Sequence, residues 1–227
     1  MNISDVLIFV LEMIGTVAFA SSGALTGIRK NMDIFGICVL GITTAVGGGI
    51  IRDLVLGIHP PKTFQNPVYV LTSIATSCML FLIVYFNQKF LESQWMVRYE
   101  QMMLVLDTLG LAIFTVLGIE AARNADVEPS AFLLIFVGMV TGVGGGMMRD
   151  VMAGLMPYVF VKHVYACASM IGALICVFGP RIHVFGHAMS DLTAMIIGAV
   201  VIVVIRFLSA HYRWNLPRIR LQKPYEF

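Results

Sequence analysis

Long apolar runs separated by short polar breaks divide the chain into seven stretches: Asp5 to Gly27, Ile34 to Ile58, Pro67 to Phe86, Met102 to Ala122, Ser130 to Leu155, Tyr158 to Phe178 and Met189 to Leu208. Each has the length needed to cross a hydrocarbon core about 30 Å thick, for which about 20 apolar residues suffice. None alternates apolar and polar positions as a half-buried strand would. A run of this length in lipid satisfies its backbone polar groups as a helix. The pattern predicts an all-α integral membrane protein with seven transmembrane helices.

Composition sharpens that reading. Hydrophobic residues make up 59% of the 227 and charged residues 12%, about half the charged share of a soluble domain. So little chain lies outside the seven stretches that no extramembrane catalytic domain is expected. No nucleophile and base are set up together, no cofactor signature is present, and no nucleic-acid partner is expected. The protein reads as a non-enzyme whose surroundings are membrane lipids.

The start of the chain, Met1 to Asp5, carries no Lys or Arg, unlike the basic leader of a secretory signal. The first apolar run is therefore expected as a retained helix. With Arg52 and Arg149 set aside as intramembrane, the side holding the N-terminus has Lys62, Arg123 and Arg181. The opposite side has Arg29, Lys30, Lys89, Arg98, Lys162, Arg206, Arg213, Arg218, Arg220 and Lys223. Basic loops stay inside, which puts the N-terminus outside and the C-terminus in the cytoplasm of a multi-pass cell-membrane protein. In a cell with two membranes this is the inner one. The basic stretch 211–227, with Trp214, Pro217 and Pro224, reads as a cytoplasmic tail that anchors the last helix.

One sequence occurs twice. Gly47-Gly48-Gly49 is followed by Ile50, Ile51, Arg52 and Asp53, and Gly144-Gly145-Gly146 by Met147, Met148, Arg149 and Asp150. Both features are costly in hydrocarbon. Glycine costs about 1 kcal/mol inside a helix, and a charged side chain near mid-bilayer costs about 2.5 kcal/mol or more. Retained charge at such depth marks a polar path more often than packing, although small residues also serve close helix contact.

The repeat extends beyond the motif. Its 97-residue offset (47 to 144) also pairs Thr44 with Thr141, Gly57 with Gly154 and Pro60 with Pro157. An offset of 95 (12 to 107) in the preceding helix pairs Glu12 with Asp107, Gly15 with Gly110, Phe19 with Phe114 and Gly23 with Gly118. One of 96 (69 to 165) in the following helix pairs Tyr69 with Tyr165 and Ser73 with Ser169. The unit is three helices, and an odd number inverts the second copy in the membrane. The expected organisation is a first repeat at 1–90, a linker at 91–101, a second inverted repeat at 102–180, a seventh helix within 181–210 and the tail. The glycines are expected to kink the second and fifth helices, leaving free carbonyls near Val46 and Val143 and free amides beyond. Free carbonyls suit cations and free amides suit anions. The four acids Glu12, Asp53, Asp107 and Asp150 against two arginines favour a cation.

Other candidate chemistry is sparse. Cys38, Cys78, Cys167 and Cys176 all fall inside apolar spans without metal-ligand spacing and read as small core residues. His183 and His187 share a loop but lack the third ligand that a metal site needs, so no metal is expected.

Two inverted three-helix repeats, a seventh helix and Gly-Gly-Gly-x-x-Arg-Asp in the second and fifth helices resemble the prokaryotic branch of the TRIC family, the trimeric intracellular cation channels. Related bacterial proteins carry a glycine-transporter domain label. The resemblance runs from about Asp5 to Leu208. It implies a homotrimer whose protomers each hold an hourglass pore, lined by the kinked helices and passing monovalent cations, potassium or sodium and chiefly potassium. Carried onto this chain, the pore hinges are Gly47, Gly48, Gly49, Gly144, Gly145 and Gly146. The polar residues beside them are Arg52, Asp53, Arg149 and Asp150, with Thr43, Thr44 and Thr141 as hydroxyl ligands. The Lys-Glu-Val motif of the animal members is absent from this sequence. The architecture also suits a secondary transporter of a small zwitterion such as glycine.

Depth predicts the partners of the arginines. At about 1.5 Å per helical residue, Arg52 and Asp150 stand too far apart to pair, and neighbours in sequence do not face each other on a helix. Glu12 and Asp107, on the first helix of each repeat, match the depths of Arg52 and Arg149. The expected pairs are Glu12 with Arg52 and Asp107 with Arg149, which would leave Asp53 and Asp150 free to meet ions.

Overall fold

In the computed structural model, residues 3–86, 95–125, 129–161, 164–181, 183–184 and 187–214 are described. The apolar runs form α1 (Ile3–Arg29), α2 (Ile34–Val55), α4 (Val68–Phe86), α5 (Trp95–Arg123), α6 (Ala131–Met152), α8 (Tyr165–Phe178) and α9 (Asp191–His211), with four-residue helices α3 (Lys62–Gln65) and α7 (Tyr158–Val161) between them. Among the described residues, six helices are long and apolar enough to cross a membrane, and α8 is shorter. The protein is thus an all-helical, multi-pass membrane protein.

The sixth expected span, Tyr158 to Phe178, differs from its prediction. It divides into α7 and α8, and Val164 at the start of α8 has a left-handed backbone, φ 42° and ψ 35°. A β-branched residue there cannot continue a helix. The 14 residues of α8 rise about 21 Å at 1.5 Å each, less than a full hydrocarbon core. The first repeat has the same plan, with α3 preceding α4. The stretch 91–101, expected as a linker, is helical from Trp95 onward as the start of α5. Between α8 and α9, His183–Val184 pairs antiparallel with His187–Ala188. The tail beyond Trp214 and the side chains of His183 and His187 lie outside the described residues.

Helix ends follow local chemistry. Asp33, Ser130 and Ser190 cap α2, α6 and α9, their side chains accepting from the amides of Gly36, Leu133 and Thr193. Such caps satisfy amides that the first turn leaves unpaired. At the other end α2 and α6 close alike. Gly57 (φ 72°) and Gly154 (φ 64°) take the left-handed conformation that glycine adopts without strain. Ile58 N donates to Asp53 O and Leu155 N to Asp150 O, both at 2.8 Å, completing a Schellman stop.

Neither α2 nor α6 is interrupted at its glycines. Helix runs through Gly47 to Gly49 and through Gly144 to Gly146, so the free half-helix ends expected near Val46 and Val143 do not form. An apolar segment that keeps its i to i−4 ladder leaves fewer backbone groups unsatisfied.

The glycines instead let α2 and α6 touch. A β-carbon on Gly48 would collide with the carbonyl oxygen of Thr141, and one on Gly145 with that of Thr44. The contacts are reciprocal. Gly47 abuts Met148 while Gly144 abuts Ile51, and Gly15 abuts Phe114 while Gly110 abuts Phe19. Such exchange of partners is the contact pattern of a two-fold relation. α2 packs further on α1 and α4, and α6 on α5 and α8, while α9 covers α5 and α8.

Candidate functional site

Each motif ends its helix with a buried arginine beside a buried aspartate. In the first, Arg52 Nε lies 2.8 Å from Asp53 Oδ1, and Asp53 Oδ2 accepts from the Lys62 amide at 2.8 Å. In the second, Arg149 Nε and Nη2 lie 2.8 and 2.7 Å from Asp150 Oδ1, and Asp150 Oδ2 accepts from the Tyr158 amide at 2.9 Å. The sequence predicts aspartates free for ions. Both are instead fully used, with exposures of 0% and 1%. An arginine stem has enough methylenes to curl over the last turn onto its neighbour, which a shorter side chain cannot do. The second carboxylate oxygen then fixes the first residue of α3 or α7. Those residues follow Pro61 and Pro157, so Pro61, not Pro60, is the structural counterpart of Pro157.

The second repeat buries its arginine completely. Arg149 Nη1 meets Asp107 Oδ1 at 2.8 Å, with exposures of 1% and 0% for the two side chains, as the depth argument expects. Nη1 also donates to Ser22 Oγ on α1, and the guanidinium lies 5.3 Å from the centre of the Tyr158 ring. The Tyr165 hydroxyl and the Asp107 carboxylate both border Gly146, 3.2 and 3.4 Å from where a β-carbon would stand. Arg206, expected among the cytoplasmic flanking charges, is buried on α9 with its guanidinium 4.6 Å from the Tyr165 ring centre.

The first repeat arranges the matching residues differently. Among the described residues Arg52 forms one ion pair, with Asp53, and the expected bridge to Glu12 is absent. Glu12 Oε2 instead accepts from the Tyr69 hydroxyl. Beside that bonded pair, and bordered also by Arg52, lies a cavity of about 40 Å³, lined by Glu12, Thr16, Gly49, Arg52, Thr63 and Tyr69 among others, with Phe114 in its wall. That is room for a few waters, each of which needs about 10–15 Å³. The longer glutamate satisfies Tyr69 from the side, whereas Asp107 points at its arginine. Phe114 meets Phe19 with ring centres 5.3 Å apart.

The threonines expected as ligands turn back on their own helices. Thr43, Thr44 and Thr141 donate to the carbonyls of Val39, Leu40 and Val137 at 2.8, 2.6 and 2.6 Å. Thr44 and Thr141 are buried and abut Gly23 and Gly118. Sequence reasoning gives no site role to Tyr69, Tyr165 or Ser22, and takes Arg206 for a flanking charge. A signal for the tyrosines exists, since they occupy matching positions in the two repeats. Among the described residues no group of three or more His, Cys, Asp or Glu is placed to hold a metal.

A bundle of apolar helices with paired charges buried at the ends of two matching, glycine-bearing helices defines an integral membrane protein with an internal polar site. The chain belongs to the family whose prokaryotic members include the TRIC channels and the UPF0126 membrane proteins, and its residues 9–85 and 104–181 match the profile described as glycine transporter. It is 35% identical to the UPF0126 inner membrane protein YadS of Escherichia coli K12 over 96% of this chain and 98% of that protein. A structure described as the basis for conductance through TRIC cation channels superimposes with a TM-score of 0.78 at 29% identity, covering 95% of this chain and 98% of the other. The TRIC orthologue from Rhodobacter sphaeroides gives 0.78 at 30%, covering 92% and 99%.

Proposed function

We propose that this protein is a passive channel for monovalent cations, chiefly potassium, assembled as a homotrimer with a pore in each protomer. The observation that carries the reading is the cavity at Glu12. Arg52 is neutralised by Asp53, so Glu12 is the acid left facing the space, and a carboxylate in a low-dielectric wall attracts cations. The two repeats stand in the membrane with opposite orientation, the N-terminus outside and the C-terminus cytoplasmic, so the Glu12 cavity opens outward and the Arg149 cluster lies toward the cytoplasm. The path runs along α2 and α6, past a constriction at Phe19 and Phe114. Gly47, Gly48, Gly49, Gly144, Gly145 and Gly146 permit the bending that opens it. Arg52, Asp53, Arg149 and Asp150 hold the ends of the two helices, and Thr43, Thr44 and Thr141 shape the contact between them.

The likeness to TRIC cation channels supports permeation. A second reading, a secondary transporter of a small zwitterion such as glycine, is favoured by an acid and a guanidinium bordering one cavity without bonding each other, and by the family's description. Planar-bilayer recording of purified protein in asymmetric potassium and sodium separates them. Unitary current steps with a cation reversal potential are expected. Glycine uptake at fixed ion stoichiometry without unitary steps would replace the channel with the carrier.

A further inference from the structure

The α2–α4 contact contains a pair of thiols outside the polar site. Cys38 Sγ and Cys78 Sγ are 3.6 Å apart, and both cysteines are reduced and only partly buried. Their closeness is built into the packing. Gly41, one turn beyond Cys38 on α2, has no room for a β-carbon because Ser77, the neighbour of Cys78, fills that space. The missing side chain brings the two helix surfaces together at this level. The second repeat lacks the pair, since the matching positions are Ile135 and Leu174. The thiols are therefore an addition to the repeat and not part of its common frame.

We infer that Cys38 and Cys78 form a redox-modification site, a dithiol that closes to a disulfide between α2 and α4 when a lipid-soluble quinone removes two electrons. The balance is complete. Two S–H bonds break, one S–S bond forms, and the two electrons and two protons reduce the quinone to its hydroquinone. Closing 3.6 Å to a bond of about 2.05 Å takes rotation of the two thiols and a small approach of the helices. A groove of about 310 Å³ is lined by Ile37, Phe81, Tyr85 and Asn31 among others; the thiols do not line it, but Ile37 adjoins Cys38 in sequence and Phe81 stands one turn from Cys78. Its largely apolar and aromatic walls suit a flat ring arriving from the membrane, and Asn31 offers a polar group to a ring carbonyl. Thiol pairs that bridge in reducing compartments are transient and serve redox sensing, so the bridge is reversible. It fixes the first turns of α2 against α4, before the glycine motif.

The test uses the full chain in lipid nanodiscs. After exposure to decylubiquinone, whose ring is fully substituted and forms no thiol adduct, the protein is denatured and its free thiols are counted by maleimide labelling. The expected result is loss of two of the four thiols, recovery on reduction, and a peptide map joining Cys38 to Cys78. Cys38→Ser should keep its three remaining thiols after the same treatment. Full labelling after decylubiquinone overturns the quinone step, even if copper-phenanthroline closes the bridge, and full labelling after both overturns the site. A map that involves Cys167 or Cys176, or a second chain, also overturns it. The wild-type map decides the matter if Cys38→Ser does not fold.

Discussion

Arg149 is held by Asp107 at 2.8 Å, while Arg52, its counterpart in the first repeat, leaves Glu12 to the hydroxyl of Tyr69. One sequence pattern therefore yields a sealed ion pair in one copy and a cavity with an acid in its wall in the other. Glu12 has one more methylene than Asp107, and Leu117 is the repeat counterpart of the Ser22 that bonds Arg149. Glu12 is bonded to Tyr69, whereas Asp107 is bonded to Arg149 and borders the Tyr165 hydroxyl.

That asymmetry sets unequal costs for losing the two acids. Asp107→Ala leaves Arg149 buried without its partner on α5, and breaking a fully buried pair costs about 3–5 kcal/mol. Glu12→Gln keeps a hydrogen-bond partner for Tyr69 and leaves Arg52 on Asp53, so the fold is kept and cation flux falls. Thermal unfolding in detergent, read beside flux in proteoliposomes, checks both. Equal destabilisation by the two changes would contradict the asymmetry.

Double-mutant cycles follow the same geometry. Asp107 and Arg149 should be strongly coupled in stability, with an interaction energy at the upper end of the roughly 0.5–3 kcal/mol seen for contacting residues. Glu12 and Arg52, which border one cavity without a bond, should couple more weakly than that pair. Strong coupling between Glu12 and Arg52 would point to a bridge absent from this structure.

The glycines of one motif should separate by role. Gly48→Ala and Gly145→Ala each push a methyl into a backbone carbonyl of the facing helix, and overpacking of this kind costs about 1–3 kcal/mol. A methyl on Gly49 would meet only Arg52 Nη2, at 3.9 Å, so Gly49→Ala fits. A loss of flux in Gly49→Ala with unchanged melting would support bending at the motif. Wild-type flux in that variant, with loss of folding in the other two, would assign the glycines to packing alone.

Asp150→Asn and Asp53→Asn weaken a guanidinium contact at the end of α6 or α2 but keep an oxygen for the Tyr158 or Lys62 amide. Melting should fall more for Asp53→Asn, because Asp53 is the one ion-pair partner of Arg52 among the described residues, whereas Arg149 keeps Asp107. The reversal potential should stay unchanged in Asp150→Asn, whereas Asp53→Asn leaves the Arg52 charge unneutralised beside Glu12 and should lower the cation-to-chloride ratio. A shifted ratio in Asp150→Asn would return that aspartate to the path, and an unchanged ratio in Asp53→Asn would remove the Glu12 cavity from it.

Phe114→Ala removes a wall of the Glu12 cavity and the ring that meets Phe19. Flux should rise severalfold with partial loss of stability, as expected for an aromatic truncation. Unchanged unitary current in the folded variant would move the constriction elsewhere.

By itself the sequence determined the membrane class, six of the seven spans it marks, the matched positions of the two repeats and one of its two depth pairs, Asp107 with Arg149. These depend on hydropathy, on helical rise and on residue order, which are all one-dimensional quantities. Only the tertiary structure decided what the glycines and aspartates do. Helix continuity through Gly47–Gly49 depends on whether α6 is there to pack against, and no local rule contains that neighbour. Asp53 and Asp150 look free in the sequence because adjacent residues diverge on a helix. Their partners come from the curl of the arginine stem and from the amides of Lys62 and Tyr158, which return to the helix end only after the chain has turned at Gly57 and Gly154. The open cavity at Glu12 is likewise hidden, since it depends on which of two reachable partners a glutamate chooses once α1, α2 and α4 are packed together.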